Sequence, residues 1–94
     1  MPVTLTPRQR SQLKARAHAL EPAVYVGKAG VQEAIVREID RALTAHELIK
    51  VRIDADREER ESMAAILADR TDSAVVQRVG KIVVVWRPRV SENS

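Results

Sequence analysis

The sequence predicts a single α/β layer domain, a four-stranded sheet with helices on at least one face, from three observations. Apolar residues recur at helical spacing over Val31, Ile35, Ile39, Ala42 and Leu43. Ile49, Val51 and Ile53 instead alternate with Lys50, Arg52 and Asp54, the period of a strand with one wet face. Two further β-rich runs, Ala74 to Val79 and Ile82 to Arg87, meet at Gly80-Lys81, with glycine where a two-residue type II′ turn requires it.

In chain order, the first helix begins at Thr6-Pro7. Thr6 caps, Pro7 lacks an N–H that has no partner at that position anyway, and Gln9 completes a capping box. Leu13, Ala17 and Leu20 form its apolar stripe, and Pro22 ends the region. Ala23 to Val26 is a short strand, followed by a second helix from about Val31 to Ala45 with Glu33, Arg37, Glu38 and Arg41 outward. The strand in HELIKVRID projects Lys50 and Arg52 together. A third helix occupies DADREERESMAAILADR, capped by Asp54 or Asp56, with acids in its first turns, Met63, Ile66 and Leu67 inward, and its outer side away from any polyanion. The order is α-β-α-β-α-β-β, with the domain spanning residues 1–90 and a disordered tail at 91–94.

The 94 residues support one core and one site. Cysteine is absent, which excludes a disulfide framework and thiolate metal sites and suits the cytoplasm. No signal peptide or bilayer-spanning run is expected. Charge is segregated: Met1 to Ile53 holds nine basic and five acidic residues, Asp54 to Ser73 three and seven, Ala74 to Ser94 four and one. Such a dipolar molecule suggests a polyanion on its basic side. In the first helix Arg10, Lys14 and His18 form a ridge at i, i+4, i+8 with no acid before Glu21, and an external anion would relieve their repulsion.

Between the first strand and second helix lies VYVGKAGVQE. Gly27-Lys28-Ala29-Gly30 exposes backbone N–H groups near a helix N-terminus, where unpaired donors and the helix dipole favour phosphate. The missing side chains allow a sugar-phosphate backbone to approach, and Lys28 adds charge. The same residues also suit a plain tight turn. The third glycine of a dinucleotide fingerprint and the Ser or Thr of a Walker-type loop are both missing. Catalysis has little foundation: His18 and His46 have no cysteine partner, two histidines make no metal site without a third ligand, and the carboxylates of the third helix read as a solvated face. No cofactor or metal is expected. Tyr25 and Trp86 are the only aromatics, with Trp86 read as packing, so recognition of phosphates and RNA shape is favoured over base-by-base stacking.

Together, Leu13-Lys14 with Ala17-His18, Pro22, the Gly27 to Gly30 loop, His46-Glu47-Leu48-Ile49-Lys50-Val51, Gly80 and Trp86-Arg87-Pro88 resemble the bacterial YhbY family of stand-alone CRM (chloroplast RNA splicing and ribosome maturation) domains. The resemblance covers Leu5 to Pro88. It implies a mixed four-stranded sheet, similar to the C-terminal domain of the third bacterial translation initiation factor. It also implies binding of ribosomal RNA in precursors of the large subunit. The chain is expected to act as a monomer, with ribosomal proteins or other assembly factors as candidate further partners. Carried over by position, Gly27, Lys28, Ala29 and Gly30 form the RNA-binding loop, and Arg10, Lys14, Lys50 and Arg52 are surrounding cations. Two residues depart from the family pattern: Gln32, a poor N-cap where Thr or Ser is common, and Trp86 where Tyr is common. The other classes to separate are a protein-interaction module and an RNA-acting enzyme, for which His18 would be the acid/base group.

Overall fold

The computed structural model describes residues 4–88. The expected tail and the last two residues of the predicted domain lie outside the described residues. The elements are α1 (Pro7–Ala17), β1 (Pro22–Val26), α2 (Glu33–His46), β2 (Leu48–Ile53), α3 (Arg57–Thr71), β3 (Ala74–Val79) and β4 (Ile82–Trp86). The sheet runs β1-β2-β4-β3. β1 and β2 are parallel, joined through α2, and the other pairings are antiparallel, so the sheet is mixed as the resemblance implied.

The local signals act as their chemistry dictates. Thr6 Oγ1 accepts from the Gln9 amide at 3.1 Å while the Gln9 side chain accepts from the Thr6 amide at 2.9 Å. Asp56 caps α3, accepting from the Glu59 amide at 2.9 Å. In the β3–β4 hairpin Gly80 has φ +56° and Lys81 stays out of the left-handed region, as a type II′ turn requires. Gln32 occupies the N-cap of α2 and makes no side-chain capping bond.

Strand alternation feeds two apolar clusters, one on each face of the sheet, where chain length alone suggests a single core. On one face α2 and α3 cover the sheet, with Ile39, Leu43, Ala64 and Leu67 packed against Val24, Val51, Val83 and Val85. On the other, α1 places Leu13 and Ala17 on Leu48, Val76 and Val84, and Trp86 packs beside them. Helices therefore lie on both faces. The α1 face is only partly covered, because α1 sits toward the Leu48–Trp86 end of the strands.

One inward assignment is corrected: Ile66 is 47% exposed. The seam of α3 is Ala64, Leu67, Ala68 and Thr71, at i, i+3, i+4 and i+7, and Met63 is half-buried at its margin. Alanines at a helix seam let the backbone sit close to the sheet, and that rotation carries Ile66 outward. Thr71 Oγ1 donates to the Leu67 carbonyl at 2.6 Å and pairs with Ser73 Oγ at 2.8 Å, which satisfies both buried hydroxyls. Arg87 ties the helical layer to β4: it donates to the Asp40 carboxylate at 2.6 Å, the Thr71 carbonyl at 2.8 Å and Thr44 Oγ1 at 2.9 Å.

Candidate nucleic-acid interface

β1 ends at Val26 and the chain turns at once. The Gly30 amide donates to the Gly27 carbonyl at 3.0 Å, closing a four-residue turn with Lys28 and Ala29 exposed at its apex. The two glycines serve different purposes. Gly30 has φ +80°, where a side chain costs about 1–2 kcal/mol, so the backbone itself requires it. Gly27 lies outside the left-handed region, and a Cβ built there would meet nothing within 4 Å. Among the described residues no contact or positive φ demands glycine at position 27, and its bare backbone faces open space.

Beyond the turn, the first amides of α2 have no side-chain cap from Gln32. Glu33 in that first turn is paired with Arg70, whose hydrogen bond and charge hold the Glu33 carboxyl below its usual range. The turn is fixed to the sheet where the Asp54 amide donates to the Val26 carbonyl at 2.9 Å. The Asp54 carboxylate pairs with Lys81 at 3.0 Å. Its pKa is lowered by that hydrogen bond and charge first, with smaller contributions from Lys28 and Arg52. Three cations thus gather around one carboxylate at the turn end of the sheet.

The predicted cations divide. Lys50 and Arg52 project from β2 on the α1 face, half-buried and exposed respectively. Lys14 and His18, from α1, line a groove of about 270 Å³ with Lys50, Gln77, Val79 and Ile82. Among the described residues, Lys14, Lys28, Lys50 and Arg52 form no ion pair. Arg10 differs from its ridge neighbours: it is half-buried, and its Nη1 donates to the carbonyls of Val75 and Val76 at 2.7 and 2.8 Å. Those carbonyls mark the register shift in β3, an edge strand, so Arg10 clamps α1 to a bulge.

Two features escaped sequence reasoning. The acidic helix borders the corner, since a Cβ on Gly30 would lie 3.6 Å from Met63 Cε. Its carboxylates, read as a plain solvated face, also shift at the cap: the Asp56 carboxyl is lowered, first by the Glu59 backbone amide, while the Glu59 carboxyl is raised by its hydrogen bond with Asp56. This is local cap chemistry in full solvent. Tyr25 is the second feature, a strand residue standing 64% exposed beside the turn. Alternation with the buried Val24 and Val26 was the available signal. His46 ends α2, where the helix dipole favours it.

Comparison with known proteins agrees with this architecture. Residues 5–87 match the model of the CRS1/YhbY (CRM) domain. The chain belongs to this family. It is similar to a Haemophilus influenzae protein named RNA-binding protein, 42% identical over 86 residues, covering 90% of this chain and 87% of that one. It is also similar to the Bacillus subtilis probable RNA-binding protein YqeI, 37% identical with 88% of each chain covered. The solution structure of SAV1595 from Staphylococcus aureus superposes with a TM-score of 0.83 at 31% identity, covering 95% of this CRM chain and 94% of the other.

Proposed function

We propose that this CRM domain binds structured ribosomal RNA and acts, without catalysis, in assembly of the large ribosomal subunit in the cytoplasm. The Gly27–Gly30 turn takes the sugar-phosphate backbone, and Lys28, Lys14, Lys50 and Arg52 neutralise neighbouring phosphates. The observation that carries this reading is Gly27, whose bareness no contact or φ among the described residues requires. Lys28 and Arg52 at the turn end, which form no ion pair among the described residues, and relatives named as RNA-binding proteins support it. Arg10 contributes by fixing the helix that carries Lys14. His18 is exposed, and among the described residues no carboxylate orients it.

The test is the double substitution Lys28→Asp with Ala29→Asp. Both side chains are exposed, so the change in stability should stay within about 0.5 kcal/mol. Binding to precursor large-subunit RNA should be lost. Unchanged affinity would remove the turn from the interface. A second reading is a protein-interaction module docking through α3, where Ile66 is exposed. Salt separates the two, because RNA binding weakens steeply with salt in proportion to the phosphates neutralised, whereas an apolar protein contact does not.

A further inference from the structure

The RNA reading leaves Tyr25 without a role. Val24 and Val26 enter the α2/α3 core, so Tyr25 lies on the α1 face of the sheet. Tyr25 stands opposite Arg52, Arg52 opposite Ile82, and Ile82 opposite Val79. One row of side chains therefore crosses all four strands at the turn end, where its β4 member Ile82 is half-buried against the α1 core and its β1 and β2 members, Tyr25 and Arg52, are exposed. Arg52 and Val79 in that row are exposed. Among the described residues no hydrogen bond or ring contact holds the Tyr25 ring.

We infer that this open row receives one unpaired nucleotide of the bound RNA, its base stacked on Tyr25 and its phosphates against Arg52 and Lys50. The inference rests on the RNA-binding reading above and adds a second contact to it. Tyr25 precedes Gly27 by two residues, about 7 Å along the strand, so a backbone held at the turn reaches the ring within one nucleotide. Every base has a π-face, and an exposed aromatic on a cationic surface binds single strands in a sequence-tolerant way. Charge complementarity favours this occupant: Lys14, His18 and Lys50 line the adjoining groove, and no acid does. Trp86, the other aromatic, packs beside α1, so the surface offers one stacking position.

Two hairpin RNAs with the same stem, taken from precursor large-subunit RNA, test this: one has unpaired nucleotides flanking the stem and the other is blunt. Tyr25→Ala should weaken binding to the flanked RNA about 5- to 150-fold, leave the blunt RNA unchanged, and keep the urea midpoint of the wild type. Tyr25→Phe should bind both RNAs as the wild type does, since the ring is retained. Equal affinity of Tyr25→Ala for the flanked RNA, with binding still lost in the Lys28→Asp/Ala29→Asp variant, overturns the stacking position and spares the RNA reading. A Tyr25→Phe loss as large as that of Tyr25→Ala would assign the contact to the hydroxyl and overturn stacking. Failure of the wild type to bind either hairpin, with capture of a protein partner by the Tyr25 face, would overturn both.

Discussion

The two faces of the sheet solve opposite problems. The α2/α3 face is closed: its aliphatic core is continuous, and Arg70–Glu33 and Arg87–Asp40 tie down cations at its edge. The α1 face is closed toward the Leu48–Trp86 end of the strands and opens beyond it, and among the described residues Lys14, Lys50 and Arg52 have no acidic partner. The contrast separates residues that hold the fold from residues the fold does not need, and the turn at Gly27 lies past the strand end of the open half.

The largest expected effect falls on the closed face. Ile39→Ala, at a residue 1% exposed, should cost about 2–5 kcal/mol in urea unfolding through lost transfer energy and a residual cavity. A loss under 1 kcal/mol would mean that this face is looser than the packing implies. Arg10→Ala comes next, since it removes a charged donor shared by two carbonyls at the β3 bulge; about 1.5–3 kcal/mol of stability should go. If Arg10→Ala instead weakened RNA binding with stability intact, Arg10 would move from the structural to the binding set. On the open face, Lys50→Ala and Arg52→Ala should each lie within about 0.5 kcal/mol of the wild type in stability. Each should lower the salt dependence of RNA affinity by about one unit of log–log slope.

The smallest effect is in acid. Asp54, Asp56 and Glu33 have lowered pKa values, so their stabilisation is present above the ordinary 3.8 of Asp and 4.5 of Glu and is lost as pH falls through the lowered values. Glu59, raised, has the opposite sign: its contribution is present below 4.5 and fades as pH rises through its folded value. All four are fully exposed, so urea midpoints should fall only slightly below pH 4. Asp54→Asn should flatten part of that fall, and a steep acid transition between pH 6 and 5 would contradict the assignment.

Much of the fold was legible because it is local. The capping box at Thr6, the alternation of β2 and the Gly80 hairpin each need only a few adjacent residues, and each forms as its chemistry dictates. Long-range features were not. Arg10, Lys14 and His18 share one ridge by spacing, yet only Arg10 turns inward, because the carbonyls that accept from it lie 65 and 66 residues away. Spacing likewise made Ile66 and Leu67 look equivalent, whereas the alanine seam selects Leu67 and turns Ile66 out. At the candidate interface, the turn and the β2 cations were readable from sequence. What needed the folded chain was the asymmetry between the two glycines and the exposure of Tyr25, both set by packing around them.

The bare turn and the open part of the α1 face are proposed to contact RNA together. The most direct measurement is an NMR titration of isotope-labelled protein with a precursor large-subunit RNA fragment, following backbone amides. Gly27, Lys28, Ala29, Gly30, Lys50 and Arg52 should shift first and furthest, with the α3 amides around Ile66 unchanged. Perturbations confined to α3, with the Gly27–Gly30 amides unmoved at saturation, would contradict the account.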